Sequence, residues 1–160
     1  MIDLGIRIEF FDEPVELGIE PHRGRMGTLY RDEGYRALAV PAVGTKLDTV
    51  SLRVASRDDF LPLVMQSHLL VHDVWHTPVP VREGSVPTWW DSPVPEPAVT
   101  VVLRAKLSPN ASAETLLPRV RQYVADGWRV IDTPDDSPLD MAWRQAWREH
   151  RDGTLVRPAG

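Results

Sequence analysis

Two stretches of this chain have nearly the same pattern of apolar and polar residues. Residues 50–55 alternate between apolar and polar side chains, and residues 58–64 then begin with acids and continue through a Leu-Pro pair. Residues 101–106 and 114–120 repeat that order. Alternation is typical of a strand with one buried face, and an acid followed by Leu-Pro is typical of the first turn of a helix. Each stretch therefore predicts a strand followed by a helix.

A further strand closing each unit would give β-α-β twice, which is the outline of a ferredoxin-like α+β sandwich. We therefore expect a ferredoxin-like βαββαβ core at residues 49–133, within a chain that forms a single domain over 1–160. An N-terminal β-rich extension (1–48), a C-terminal amphipathic helix (137–152) and a tail (154–160) would surround this core. Another α+β arrangement of the same elements is the alternative.

The remaining elements follow from local patterns. In the N-terminal extension we expect strands at 2–11 and 15–19, and a hairpin over 28–43. In the core we expect further strands at 69–77, 99–107 and 128–132, with a helix at 110–126. The two repeat strands should be parallel neighbours, with Leu52 and Leu103 buried beneath the helices.

The C-terminal helix has the strongest start signal. Ser137 fits the N-cap, Pro138 the first helical position, and Asp140 the partner of Ser137 in a capping box. Apolar residues recur at helical spacing, so Trp143 and Trp147 are expected to pack into the core.

Composition excludes several classes of protein. The net charge of −5 argues against a general nucleic-acid binder, which needs a basic face for phosphates. The chain has no cysteine, which excludes disulfides, thiolate metal sites and a cysteine nucleophile. No apolar run approaches the roughly 20 residues of a membrane span, and the N-terminus does not resemble a signal peptide. We expect a cytoplasmic protein, or one assembled into a virion, with no membrane or nucleic-acid partner and no cofactor.

Three histidines, His68, His72 and His76, are spaced four residues apart. On a helix this spacing can chelate zinc, whereas on a strand consecutive members lie about 13 Å apart. We favour a strand and predict no metal site. Partly exposed sheet histidines are the simplest interpretation, and a ligand or pH-sensing role is the other.

The predicted topology implies a cationic sheet face. With the leucines of the repeat strands facing the helices, Arg53 and Arg104 would share the opposite face. Lys106, His72 and His76 could join them, and such a face could hold an anion or a carboxylate. The alternative is that the N-terminal extension covers this face and each arginine pairs with a carboxylate.

The stretch 78–97 contains six prolines around Trp89, Trp90 and Asp91. Proline cannot donate to a sheet ladder and favours extended geometry, so we expect a stiff loop or a bulged edge. Tryptophan is enriched at interface hot spots. We predict that Trp89, Trp90 and Asp91 contact a partner or another copy of the chain; packing within the chain is the alternative.

No motif identifies a reaction, because the chain has neither GxSxG nor a phosphate-binding glycine loop. We therefore expect a non-enzymatic protein–protein interaction or assembly protein. Lys46 and Lys106 are the only lysines among 18 basic residues, and 15 residues are proline. Arginine and proline have GC-rich codons. This bias suits a phage structural component or an accessory factor of a high-GC bacterium. One alternative is a small anionic-ligand binder or enzyme that uses the cationic sheet face; another is an acidic immunity-type inhibitor of a basic toxin.

Overall fold

The computed structural model describes residues 1–21, 23–55, 64, 66–76, 99–107, 110–134 and 136–153. These residues form a six-stranded mixed sheet and two helices. The strands are β1 (Ile2–Phe11), β2 (Arg25–Ala37), β3 (Lys46–Asp48), β4 (His68–His76), β5 (Val99–Lys106) and β6 (Arg129–Ile131), and the helices are α1 (Ala113–Ala125) and α2 (Pro138–Arg151). The expectation of an α+β fold is confirmed.

The strands lie across the sheet in the order β3-β4-β5-β1-β2-β6. Strands β1 and β5 are parallel and central, with Ile8 opposite Leu103, and the other neighbouring pairs are antiparallel. Alternate residues of a strand point to one face. On β1 the buried residues that share the face of Ile8 are Leu4, Ile6 and Phe10. This face of the sheet forms the core.

Both helices pack on that face. Helix α1 begins at a capping box in which Ser112 and Thr115 exchange hydrogen bonds. The two helices are joined by Arg121 of α1, which donates to both carboxylate oxygens of Glu149 of α2 at 2.7 and 2.9 Å. The apolar residues that the helices bury are Leu116, Val120, Tyr123, Val124, Leu139, Ala142 and Ala146. Within the described ranges, neither helix has the length and apolarity needed to cross a bilayer.

The ferredoxin-like core is not confirmed, because its predicted first strand does not form. Residues 49–55 make turns, and Arg53 has a φ of 60°, which breaks an extended run. Leu52 and Val54 are nevertheless buried, since the turns direct every second side chain into the core. The expectation that Leu52 and Leu103 lie on parallel neighbouring strands is therefore wrong, and β1 is the parallel neighbour of β5. The helix expected next lies mostly outside the described residues.

Two tyrosines hold these turns against the core. Tyr35 of β2 donates its hydroxyl to the carbonyl of Leu52 at 2.5 Å. Tyr123 of α1 donates to the carbonyl of Val54 at 2.6 Å. These bonds satisfy backbone oxygens that a strand would have paired in a ladder.

Two N-terminal expectations are also wrong. Residues 15–19 form no strand, and Gly18 adopts a φ of 82° at a turn. Strand β2 runs unbroken through Gly34, where a hairpin turn was expected. It can do so because it pairs with β1 as far as Ala37, and a shift in register between Leu4 and Ile6 takes up the extra residues.

Helix α2 has its predicted position, but its start is held differently. Ser137 makes no capping bond; its hydroxyl donates to the carbonyl of Met26 at 2.6 Å instead. Asp140 accepts a hydrogen bond from Thr133 at 3.0 Å. Gly27 has a φ of 143°, and a Cβ there would lie 2.6 Å from Cγ2 of Thr133. Long-range contacts with β2 therefore replace the local capping box.

The tryptophans of α2 are divided between the core and the surface. Trp143 is half-buried and packs against the core. Trp147 is 41% exposed. The expectation that both pack into the core therefore holds for Trp143 only.

Candidate functional site

The sheet face opposite the helices carries a buried group of charges centred on Glu9. Oε1 of Glu9 accepts from Nε of Arg104 at 3.2 Å, and Oε2 accepts from Arg25 at 2.6 Å. Nε of Arg7 lies 3.4 Å from Oε2. The side chain of Glu9 is only 8% exposed, and a carboxylate at this depth requires paired charge. The three arginines provide it.

Three neighbouring strands bring these side chains together. Arg7 and Glu9 alternate with the buried apolar residues of β1, so they point away from the helices. Arg104 of β5 lies directly opposite Glu9 in the parallel register. Arg25 begins β2, opposite Phe11. The arrangement therefore depends on the order of the strands in the sheet.

Two further carboxylates complete the group. Glu20 accepts from Arg104 at 2.9 Å. Asp132 accepts from Arg7 at 2.6 Å and lies 3.7 Å from Arg25. Both acids are largely exposed, so water weakens these outer pairs. We call the group Arg7, Glu9, Glu20, Arg25, Arg104 and Asp132 the Glu9 cluster; its three formal positive charges are balanced by three negative charges.

His72 lies beside the Glu9 cluster, at a shift in the register between β4 and β5. Its Nδ1 is buried and has no hydrogen-bond partner among the described residues. Burial lowers the pKa of His72, and the positive charge of Arg104 lowers it further. His72 is therefore neutral near pH 7.

Trp75 extends the face toward the end of β4. Its indole Nε1 donates to Asp73 at 2.8 Å. The guanidinium of Arg7 lies 5.1 Å from the centre of the indole, within cation–π range. Trp75 is 44% exposed, so part of an aromatic ring with a fixed orientation faces solvent.

Arg104 and His72 are the two predicted site residues that the fold brings together. Lys106 lies two residues beyond Arg104 on the same strand, opposite Phe11. His76 is exposed at the end of β4, opposite Val99. Val99 itself lies opposite Leu4 on the helix side of the sheet, so His76 does not share the face of Arg104 as predicted. The ligand-binding role of these residues remains a prediction.

Arg53 does not join this group, which corrects the predicted face. It is exposed in the turns at 49–55, which Tyr35 and Tyr123 hold against the core on the helix side of the sheet. Burial raises the pKa of Tyr35, and the positive charges of Arg31 and Arg53 oppose that rise. Arg53 therefore acts on the helix side of the sheet. The predicted interface residues Trp89, Trp90 and Asp91 lie outside the described residues.

Sequence reasoning missed Glu9, Arg7 and Arg25. One signal was available, since Arg7 and Glu9 are charged residues at alternate positions in the long apolar run of β1. Charges placed in that way on a central strand need partners on neighbouring strands. Which strands would be neighbours could not be read from the sequence.

A cleft of about 330 Å³ borders the Glu9 cluster. It is lined by Glu9 and Glu20 as well as by Arg23 and Arg25. Its volume is near the lower end for ligand pockets. An anion entering it would meet two carboxylates, so the cleft is not a simple anion site.

The histidine-rich strand is confirmed, because His68 and His76 mark the two ends of β4. Across the described ranges, no three His, Asp or Glu side chains are grouped so as to hold a metal ion. Residues four apart on a strand are separated by about 13 Å, which is too far for them to share an ion.

The chain matches no known family model, no curated protein and no solved structure. Its function can be inferred only from its own residues and their geometry.

Proposed function

We propose that this protein is a non-enzymatic protein–protein interaction or assembly protein. The observation that carries the proposal is the neutralisation of Arg104. Its guanidinium, the best candidate for holding an anionic ligand, is bound by Glu9 and Glu20. A small anion would have to displace the buried carboxylate of Glu9, which is costly because that carboxylate would lose one of its three arginine partners.

Exposed apolar residues support an interaction role. Trp75 and Trp147 are each more than two-fifths exposed, and both have arginines nearby in space or along the chain. Tryptophan and arginine are enriched among the residues that contribute most to protein interfaces. Their rings are already oriented by neighbouring side chains, so little side-chain entropy would be lost on binding.

The loop tryptophans form part of the same proposal. We propose that Trp89 and Trp90, with Asp91, contact a partner or another copy of the chain. The support is in the sequence: prolines on both sides restrict φ and lower the entropy lost on ordering.

The test is association measured by light scattering after size exclusion, together with pull-down from a native host and mass spectrometry. A Trp89→Ala, Trp90→Ala double variant should keep its melting temperature within a few degrees and lose association. If the double variant unfolds, the loop packs within the chain and the interface role of these residues fails.

The anionic-ligand alternative has its own test. If the protein is not an anion binder, inorganic phosphate should change the melting temperature no more than the same concentration of sulfate does. A phosphate-dependent rise that disappears in Lys106→Gln would favour the ligand binder over the interaction protein.

A further inference from the structure

The outward side of α2 carries an arginine-flanked tryptophan. Trp147 lies among Arg144, Arg148 and Arg151. The three arginines follow one another at spacings of four and three residues, so they share one side of the helix with Trp147. All four side chains are exposed. We call these four residues the Trp147 ridge.

The indole of Trp147 is held in place before any partner binds. It stacks on Trp143 with ring centres 5.8 Å apart and on His150 at 5.7 Å. Arg144 pairs with Asp140 at 2.8 Å and Arg151 with Asp152 at 3.4 Å. Arg151 and Asp152 are both about two-thirds exposed, so this pair exchanges partners at little cost. Asp140 is only 12% exposed, so its pair with Arg144 holds that arginine in place beside the indole.

The segment between β1 and β2 forms a cleft whose lining is apolar and acidic, in contrast to the basic Trp147 ridge. The cleft has a volume of about 400 Å³. Its apolar lining is contributed by Phe11, Pro14, Val15, Ile19 and Pro21, and its charged lining by Glu13, Glu16 and Arg23. We call it the acidic cleft, because its lining contains two carboxylates and only one guanidinium.

Exposed apolar side chains adjoin the acidic cleft. Leu17 is 43% exposed and Ile19 is 55% exposed. Glu20, in the same segment, reaches across to Arg104 on the sheet face opposite the helices. The acidic cleft therefore lies on the other side of the sheet from α2.

We propose that the Trp147 ridge of one copy docks on the acidic cleft of a second copy. The ridge offers an ordered aromatic ring flanked by guanidinium groups, and the cleft offers an apolar lining beside Glu13 and Glu16. The two surfaces lie on opposite faces of the sheet, so they pair between molecules. Because the paired surfaces differ, the contact is heterologous, and its repetition builds a ring if the rotation closes or an open filament if it does not. This inference rests on the proposed assembly function and names its contact.

The test uses light scattering after size exclusion and sedimentation velocity over a range of concentrations. The wild-type chain should form species above the 18.1 kDa monomer, with a mass that rises with concentration. Trp147→Ser should be monomeric, and so should the double variant Glu13→Arg, Glu16→Arg. Arg148→Glu is a second ridge variant that leaves the aromatic stack intact and should also weaken association. Leu38→Ser removes an apolar side chain that is 91% exposed elsewhere, and it should associate like wild type.

The decisive arm mixes the two monomeric variants. Trp147→Ser keeps an intact cleft, and the Glu13→Arg, Glu16→Arg variant keeps an intact ridge. One functional contact remains between them, so the mixture should stop at a dimer of twice the monomer mass. Circular dichroism of each variant should match wild type.

Several outcomes would overturn the inference. If the mixture stays monomeric while wild type associates, the contact does not join ridge to cleft. If Trp147→Ser associates normally and the Trp89→Ala, Trp90→Ala variant does not, the contact is elsewhere and the proposed function stands. If a basic protein from the host binds the acidic cleft of a monomeric wild-type chain, the second copy is the wrong occupant. If wild type is monomeric and binds no partner, both proposals fail.

Discussion

Arg104 donates its Nε–H to Oε1 of Glu9 at 3.2 Å, although the two residues are 95 positions apart in the chain. Both side chains are less than a tenth exposed. The pair lies where β1 and β5 run in parallel at the centre of the sheet. A buried ion pair is costly to form and far more costly to break, because the remaining partner is left without a counter-charge. The Glu9 cluster therefore favours this arrangement of strands over others in which the same charges would be unpaired.

Replacing Glu9 with glutamine should destabilise the protein severely. The change keeps the shape of the side chain but leaves Arg7 and Arg104 without their shared carboxylate, so we expect a loss of about 3–5 kcal/mol. Urea unfolding measures it. Asp3→Asn removes a pair with Arg36 in which both side chains are about two-thirds exposed, and it should cost no more than about 1 kcal/mol. Similar losses in the two variants would mean that the Glu9 cluster contributes no more than a surface pair.

Gly27→Ala should weaken the docking of α2. Its Cβ would lie 2.6 Å from Cγ2 of Thr133 and 3.1 Å from Cδ2 of Leu139, at a φ of 143° that L residues rarely adopt. Gly127→Ala is the matched control, because it has a φ of 87° and nothing within 4 Å of the new Cβ. We expect Gly27→Ala to cost about 1–3 kcal/mol more than the control, the usual range for overpacking. Thermal unfolding followed by circular dichroism gives the difference.

Thr133→Ser provides an internal check on this cause. Serine lacks the clashing methyl group but keeps the hydroxyl that donates to Asp140. Adding Thr133→Ser to Gly27→Ala should therefore recover part of the loss. If the losses in unfolding free energy of the two single variants simply add in the double variant, steric contact with Thr133 is not the reason.

His72 should titrate below its ordinary pKa of 6.5 when followed by NMR, since burial and then Arg104 disfavour its charged form. In the unfolded chain the same residue titrates at its ordinary value. The stability that depends on neutral His72 is thus complete above that value, and it is lost as pH falls through the lower folded pKa. Arg104→Gln should move the folded pKa of His72 upward. A folded pKa above 6.5 would contradict the proposed neutral state.

Tyr123 should make the fold sensitive to alkali. Burial raises its pKa above the ordinary value of 10.0. Below that value the phenol is protonated in both states, and above it the unfolded chain loses the proton first, so stability falls as pH rises toward the folded pKa. Tyr123→Phe should flatten this fall, and at neutral pH it should cost about 1–3 kcal/mol, because the carbonyl of Val54 loses its partner. Urea unfolding at neutral and alkaline pH separates the two effects.

Elements with strong local periodicity could be predicted from the sequence. Strand β5 and helix α2 lie within one or two residues of their expected bounds, because alternation and helical spacing act between near neighbours in the chain. The same reasoning failed at residues 49–55. Leu52 and Val54 are buried as the alternation requires, but a turn can bury alternate residues as well as a strand can.

The candidate site could be predicted only in part. The sequence indicated that Arg104 and His72 share a face of the sheet, and that face carries them both. It could not indicate that Glu9 would neutralise Arg104, since this requires knowing that β1 is the parallel neighbour of β5. The predicted neighbour contained Arg53, which instead lies in the turns at 49–55, where its charge acts on Tyr35.

The sequence alone determined the elements with strong local periodicity, such as β5 and α2, because that periodicity depends on spacing within a few residues. The order of the strands, and with it the partners of each charge, was decided by the tertiary structure. Ladder bonds form equally well between many pairs of strands, so the order is selected by the packing of the whole core and by the need to pair Glu9 with arginines of two neighbouring strands, Arg25 and Arg104.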